Sequence, residues 1–264
     1  MLKLNKSLLL KPPNVKSMME IGRKIIHLDS IDSTSNYIAN MVRTNEIGHG
    51  TVILADEQFA GRGQRDSEWS VKPGENLTFS VFIDNVNVAV TDQFVLTQVV
   101  SLSLVEILRQ FGIEADIKWP NDIFVNRKKI AGVLIENQLK GKLIKNSIIG
   151  IGLNVNQTEF DSFIATSIKK EIGAFKNVRD VLYSFIYTFN KVWNKYIIDF
   201  HLLSEEYHQN LYLIDAEAQY EDVEGQFTGV IKGVQPSGHL ILEKDSTEKY
   251  YDLKEIKFIP RNAL

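Results

Sequence analysis

The amino-acid sequence predicts an α+β fold in which one large domain is followed by a small all-β domain. The chain has 264 residues, enough to bury a sizeable core in two domains. From Ile25 to Leu211, segments with strand periodicity alternate with segments of helical periodicity. From about Tyr212 the pattern changes to short strands separated by turns, which is typical of a small barrel over residues 212–264.

The elements follow from these periodicities in chain order. Capping residues between Asp29 and Thr34 precede the first helix, Gly112 ends the second, and the aperiodic, glycine-containing stretch 56–76 is predicted to be a loop. Predicted strands are 25–28, 51–55, 77–83, 116–119, 130–139 and 143–151, with predicted helices at 34–44, 92–111, 178–200 and 204–211. The small domain has predicted strands at 216–220, 226–234, 239–243 and 249–253, with a tight turn at 235–238.

Composition and charge argue against several classes of function. The formal net charge of −3 gives no support to a sequence-independent grip on nucleic acid, which needs a basic face. The chain has no cysteine, which excludes disulfides, thiolate zinc sites and a cysteine nucleophile. Its five histidines have no metal-ligand spacing, so we predict no metal site built from protein side chains alone.

The lengths of the apolar runs predict whether the chain carries a membrane span or a secretory signal. No run approaches the ~18 to 20 apolar residues that a membrane span needs. The start faintly resembles a secretory signal, but its apolar run at 8–10 is short and is stopped by Lys11-Pro12-Pro13. We therefore expect an N-terminal extension over residues 1–24, a cytoplasmic location and no membrane partner.

The densest chemistry lies in the segment KWPNDIFVNRKKIAGVLIE, residues 118–136. A short predicted strand lies at each end of this segment, at 116–119 and 130–136. Between them the chain turns at Pro120-Asn121-Asp122 and again at residues 126–128. A lysine at a strand end, such as Lys118, is well placed to meet a phosphate or a developing anion, because the strand fixes its stem while the ammonium stays free. The alternative is ordinary turn chemistry, with lysines that keep a strand edge soluble.

A second segment of interest is the loop QFAGRGQRDSEW, residues 58–69. Its small residues let backbone N–H groups approach an anion, while Arg62 and Arg65 could clamp phosphate or carboxylate. The alternative is a flexible turn. The spacing matches neither a dinucleotide fingerprint nor a P-loop.

Three separated segments together closely resemble those of the biotin protein ligases. They are Asp32-Ser33-Thr34, GRG at 61–63, and KWPND at 118–122 followed by KIAG at 129–132. The last pair of motifs is specific for that family, and the resemblance extends from about Ile25 to the C-terminus. It implies a catalytic domain over residues 25–211, with a central mixed β-sheet and helices akin to class II aminoacyl-tRNA synthetases, followed by a small SH3-like β-barrel.

The resemblance also implies an enzyme with defined substrates and partners. Biotin and ATP, accompanied by Mg²⁺, would give biotinyl-5′-adenylate and pyrophosphate, and the biotinyl group would pass to one lysine of a biotin carboxyl carrier domain. Only about 24 residues precede the first predicted strand, too few for a winged helix-turn-helix, so we expect no DNA partner and no repressor activity. The sequence leaves a monomer and a homodimer both open.

Roles for individual residues follow from the same resemblance. Lys129 would offset the charge that grows as the carboxylate attacks phosphorus, Asp122 would assist the incoming amine, and Lys118 would line the same site, so these three are the predicted catalytic residues. The loop around Arg62 would close over the adenylate and exclude water. The residues expected to contact biotin or the adenylate are Ser33, Thr34, Gln58, Gly61, Arg62, Gly63, Arg65, Trp69, Asn121, Gly132 and Asn154. For two of these, structural alternatives exist: Asn154 as a turn cap and Trp69 as packing.

The chain departs from the family pattern in the loop, where Gln64, Arg65, Asp66 and Ser67 replace a run richer in arginine and glycine. Fewer cations there would change how tightly the adenylate is held. Three rivals remain to be tested. Lipoate protein ligases share the fold but use different local sequences, octanoyl transferases need a cysteine, and a non-catalytic biotin or adenylate sensor would not require Lys129.

Overall fold

The computed structural model describes residues 20–64, 68–162, 164–196 and 199–259. Seven strands of this part of the chain form the larger sheet, namely β1 (Lys24–Ile31), β2 (Thr51–Gln58), β3 (Leu77–Asp84), β4 (Asp116–Lys118), β5 (Asp122–Val125), β6 (Lys128–Lys140) and β7 (Leu143–Leu153). Their spatial order is β1-β2-β3-β7-β6-β5-β4. β1 and β2 are parallel and the other neighbours are antiparallel, so the sheet is mixed.

Helices cover both faces of this sheet. They are α1 (Thr34–Arg43), α2 (Val95–Gln110), α3 (Ile168–Ile172), α4 (Val178–Tyr196) and α5 (Phe200–Gln209). α1 packs on one face, where its Ile38 joins Ile53 and Phe82 in a buried cluster. Successive strand residues point to opposite faces, so Val52 belongs instead to the main core with α2 and α4. The N-terminus of α1 therefore opens onto the face that is not filled by the main core.

The second sheet of the described chain has five antiparallel strands in the order β11-β10-β9-β8-β12. Their bounds are β8 (Glu217–Asp222), β9 (Gly225–Val234), β10 (Leu240–Lys244), β11 (Thr247–Tyr251) and β12 (Lys257–Phe258). The predicted turn at 235–238 is closed by a 2.8 Å hydrogen bond from Gly238 N–H to the Gln235 carbonyl. The predicted α+β class is thus confirmed. The domain limits at 24/25 and 211/212 stay predictions.

Several predicted elements differ from the structure. The helix predicted for 178–200 ends at Tyr196, and Asp199 caps a new helix by accepting from the backbone N–H groups of His201 and Leu202. The apolar stripe runs on from one helix to the next, which is why periodicity merged them. The short elements α3, β5 and β12 were not predicted, because so few residues carry no clear period.

One helical stretch in the described chain is strongly apolar. Residues Val90–Gln110, a 3-10 turn followed by α2, are long and apolar enough to cross a membrane by length and composition, which corrects the expectation that no segment comes near this limit. However, 67% of that window is buried inside the protein. A core helix meets the same criterion, so this pattern is weak evidence for a span.

Candidate active site

A cavity of about 230 Å³ lies on the α1 face of the larger sheet, beside the N-terminus of α1. Its floor comes from β3, β6 and β7, one wall comes from the loop after β2, and another comes from the β5 end. The lining residues include most of the predicted site: Ser33, Thr34, Gln58, Arg62, Gly63, Trp69, Asn121, Asp122, Lys129 and Gly132. Segments far apart in the chain therefore meet at one place.

One end of the cavity is a chain of polar side chains. Both the backbone N–H and the hydroxyl of Thr34 donate to Gln58 Oε1, at 2.7 and 2.9 Å. The Ser80 hydroxyl lies 2.7 Å from that of Thr34 and 2.9 Å from that of Ser35. A hydroxyl has one hydrogen to give, so Ser35 donates to Ser80, Ser80 to Thr34, and Thr34 to Gln58. This direction leaves the Gln58 amide group as a donor at the cavity.

The opposite end holds an ion pair. Lys129 Nζ lies 2.6 Å from Asp122 Oδ1. The two side chains share a face because of a bulge: Asp122 pairs with Gly132 and Ile123 with Ala131, but a register shift then pairs Phe124 with Lys129. In a regular strand, Lys129 and Gly132 would point to opposite faces, because their positions differ by three, an odd number. The bulge therefore delivers the lysine to the cavity.

Glycines leave the floor of the cavity without side chains, so that other groups can approach its backbone closely. A Cβ on Gly152 would lie 2.2 Å from Trp69 Cε2, and one on Gly132 would lie 3.1 Å from Lys129 Nζ. Trp69 thus lies directly on the backbone of β7, with its ring centroid 5.7 Å from the Lys129 ammonium. The indole closes the side of the cavity next to the ion pair.

Trp69 is held in place by the loop after β2. Its backbone N–H donates to the Gly61 carbonyl at 2.9 Å, and a Cβ on Gly61 would lie 2.3 Å from the Trp69 oxygen. Arg62 forms a two-point ion pair with Glu136 of β6, at 3.0 and 2.6 Å. This pair joins the loop to the sheet across the edge of the cavity.

Besides Asp122 Oδ1, whose contact is the ion pair with Lys129, two buried polar atoms at the cavity have no hydrogen-bond partner within the described residues. They are the indole Nε1 of Trp69 and the hydroxyl of Thr78. Buried polar groups in proteins are nearly always hydrogen-bonded, so such atoms in a cavity are available to a ligand. The described chain has no group of three or more His, Cys, Asp or Glu side chains that could hold a metal ion.

Four predicted site residues are not among the described residues that line the cavity. Lys118 lines another cavity, about 260 Å³ in volume, with its Nζ 5.0 Å from the Phe124 ring and 5.1 Å from the Phe258 ring. The lysine turns toward two aromatic faces, which attract a cation, and its part in the active site stays a prediction. Burial lowers the pKa of Lys118.

The other three have different places. The side-chain amide of Asn154 donates to the Thr166 carbonyl at 2.9 Å, so it supports the chain behind the cavity. Gly61 lies beneath Trp69 without lining the cavity. Arg65 lies outside the described residues.

The structure adds lining residues that sequence reasoning did not single out. Gly150 and Gly152 alternate with apolar residues near the end of β7, and Thr78 and Ser80 alternate in the same way in β3. A period of two places each pair on one face of its strand. Polar or missing side chains at alternate positions of an otherwise apolar strand were therefore a usable signal for a cavity floor.

These features define the class of protein. The sequence model of the biotin/lipoate A/B protein ligase family matches residues 27–154, which include both ends of the cavity. The chain is 32% identical to the bifunctional ligase/repressor BirA of Bacillus spizizenii, over 92% of this chain and 79% of that protein. It is 26% identical to the chloroplastic biotin–protein ligase 1 of Arabidopsis thaliana, over 87% of this chain and 65% of that protein.

A solved structure agrees with these sequence matches. The biotin protein ligase from Aquifex aeolicus in complex with biotin and ATP superposes with a TM-score of 0.73 and 25% identity, covering 89% of this chain and 98% of that one. The chain therefore belongs to the biotin/lipoate A/B protein ligase family, among its biotin protein ligases.

Proposed function

We propose that this chain is an ATP-dependent biotin protein ligase, which forms biotinyl-5′-adenylate and transfers the biotinyl group to a lysine of a biotin carboxyl carrier domain. The observation that carries the proposal is the two-ended cavity. A neutral hydrogen-bonding end at Thr34 and Gln58 faces an ion pair of Lys129 with Asp122. Such a cavity suits a ligand with a polar neutral head at one end and a carboxylate at the other.

The neutral end suits the ureido head of biotin. That head has one carbonyl acceptor and two N–H donors. The Gln58 amide can donate to the carbonyl, and the oxygens of the serine and threonine hydroxyls can accept from the N–H groups. The network is buried, with Ser80 fully inaccessible to solvent, so each unsatisfied partner would cost about 1–3 kcal/mol. This cost favours biotin over acids whose ring cannot hydrogen-bond.

The charged end suits the first half-reaction. Biotin carboxylate oxygen forms a bond to the α-phosphorus of ATP while the bond to the β-phosphate oxygen breaks, and pyrophosphate leaves. Negative charge grows on the phosphoryl oxygens, and the Lys129 ammonium is the cation at the charged end of the cavity, while Arg62 lines the edge formed by the loop after β2. Magnesium would be held chiefly by the ATP phosphates, with Asp122 as a nearby carboxylate, and would supply charge neutralisation of the leaving pyrophosphate.

Asp122 suits the second half-reaction. The acceptor lysine enters as an ammonium and must lose a proton before its nitrogen attacks the biotinyl carbonyl carbon. Once Lys129 interacts with the phosphate, the Asp122 carboxylate is released from its ion pair and can take that proton. The nitrogen then forms the amide bond and gives its second proton to the departing phosphate, the bond from the carbonyl carbon to the phosphate oxygen breaks, and AMP leaves.

Pyrophosphate exchange tests the proposal. Labelled pyrophosphate should enter ATP only when biotin is present, and lipoate and octanoate offered in turn should give little exchange. Exchange with lipoate but not with biotin would place the chain with the lipoate ligases instead. Binding of biotin without any exchange would favour the sensor hypothesis.

A further inference from the structure

A second cavity, about 170 Å³ in volume, adjoins the active cavity. Gln64, Asn121 and Val133 line both cavities. Asn121 and Val133 are tied to each other: Val133 N–H donates to the Asn121 carbonyl at 2.9 Å, and the Asn121 side-chain amide donates to the Val133 carbonyl at 2.6 Å. The two cavities thus meet at this hydrogen-bonded pair, and the next residue, Asp122, lines the active cavity.

The outer part of this cavity has a distinct charge. α2 contributes Phe94 and Thr97 to its lining, and the 235–238 turn contributes Ser237 and Gly238. Among the described lining residues, Asp252 is the only one with a charged side chain. Asp252 is exposed, and the Glu255 carboxylate lies behind it, accepting from the Asp252 backbone N–H at 2.7 Å. The mouth is therefore negative.

We propose that the second cavity is the entrance for the acceptor's lysine side chain, and that Asp252 attracts its ammonium at the mouth. This rests on the proposed function, since only an acyl transfer to lysine requires such an entrance. Five non-hydrogen side-chain atoms, each about the size of a water molecule, need on the order of 50–75 Å³ at about 10–15 Å³ each. The cavity provides about 170 Å³.

Charge distinguishes this route from the other cavity next to the site. The cavity around Lys118 is lined by Lys118 and Arg127 and, within the described ranges, by no carboxylate. An ammonium is repelled there and attracted at Asp252. The inner end of the proposed entrance also lies beside Asp122, the carboxylate that takes the proton in the proposed transfer step.

The test uses enzyme loaded with its adenylate and then mixed with a small nucleophile. Nα-acetyl-lysine amide carries the ammonium, whereas hydroxylamine is uncharged at neutral pH. Loss of one exposed charge interaction corresponds to about a two- to fivefold change in rate constant. We expect Asp252→Asn to slow transfer to the lysine amide by that factor, Asp252→Lys to slow it further, and Asp252→Glu to restore it, while hydroxylamine reacts at the same rate in all four proteins.

Controls keep the outcomes distinct. Asp245→Asn removes another exposed carboxylate, in the turn between β10 and β11, and should leave transfer to the lysine amide unchanged. Thr97→Met narrows the entrance and should slow the lysine amide, whereas the exposed Thr91→Met should not. Two results would refute the proposed entrance. One is that the reaction with hydroxylamine slows in the Asp252 variants as much as transfer to the lysine amide does. The other is that Asp252→Lys transfers to the lysine amide at the wild-type rate. Failure of the proposed function would appear earlier, as no adenylate on the wild-type enzyme.

Discussion

Replacing Gly152 by alanine tests whether the thin floor of the cavity positions Trp69. The new Cβ would lie 2.2 Å from Trp69 Cε2 and 2.3 Å from Cζ2. Ordinary van der Waals contact begins at 3.4 Å, so the indole must move by about 1.2 Å. The ring is held at its backbone by Gly61, so it can swing only toward the cavity or the solvent.

The expected magnitudes follow from that displacement. Overpacking of this kind costs about 1–3 kcal/mol, and replacing a strand glycine returns roughly 0.5–1 kcal/mol of backbone entropy. A net destabilisation of about 1–2 kcal/mol lowers the melting temperature by about 2–8 °C in a protein of this size. A displacement of about 1 Å at a reacting centre costs up to about a hundredfold in rate, so activity should fall more than stability.

The assay combines pyrophosphate exchange with thermal unfolding. Gly48→Ala is the matched control, because a Cβ there meets nothing within 4 Å. In the double variant Gly152→Ala with Trp69→Ala the clash is absent. Its stability should therefore equal that of Trp69→Ala alone, while exchange stays slow. Exchange by Gly152→Ala within about threefold of wild type would refute the reasoning, since the displaced ring would then not matter.

Three further predictions concern charged side chains. Lys129→Ala should lower pyrophosphate exchange by at least about a hundredfold with the fold intact, because a charge next to the developing negative charge is lost, whereas the exposed Lys128→Ala should have little effect. Glu136→Gln should shorten the lifetime of bound adenylate, measured by its release, because it frees Arg62 from the sheet; stability should change by less than about 0.5 kcal/mol, since the pair is exposed. Lys118→Met should raise the free energy of unfolding at pH 7, measured in urea, because burial lowers the pKa of Lys118 and the charged form therefore costs stability. The unfolded chain holds this proton up to about pH 10.4, so the cost fades as pH rises through the window between the two pKa values, and the advantage of methionine should shrink toward pH 10.

Each of these has a clear contrary result. Pyrophosphate exchange by Lys129→Ala near the wild-type rate would show that Lys129 does not stabilise the developing negative charge. Unchanged adenylate release from both Glu136→Gln and Arg62→Ala would mean that the loop does not retain the adenylate. A stability difference for Lys118→Met that is the same at pH 7 and pH 10 would show that burial of charge is not its cause.

Local patterns were sufficient to predict most of the sheet. The hairpin of β6 and β7 was predicted because long apolar strands flank a Lys140-Gly141-Lys142 turn, and the structure pairs them in register over most of their length. Merging α4 with the start of α5 was the main error in the helices. The signal that separates them is a single capping residue, Asp199, within a continuing apolar stripe.

The site was predictable where a motif carries the residues, and less so where geometry decides. Asp122 and Lys129 were named from adjacent motifs, but the bulge that turns Lys129 to the side of Asp122 is a property of pairing, which the sequence does not display. Lys118 follows the same motif yet lies against Phe124 and Phe258. Phe258 is far along the chain, so only the packing of the second sheet on the first reveals this contact.

The central claim is that biotin is joined to AMP in the cavity between Thr34 and Lys129. Its most direct test is to mix the protein with biotin, lipoate and ATP labelled at the α-phosphate, and to separate the products after acid quench. We predict that the label appears in biotinyl-adenylate in the wild type and not in Lys129→Ala. Label in lipoyl-adenylate, or the same amount of biotinyl-adenylate from Lys129→Ala, would contradict the claim.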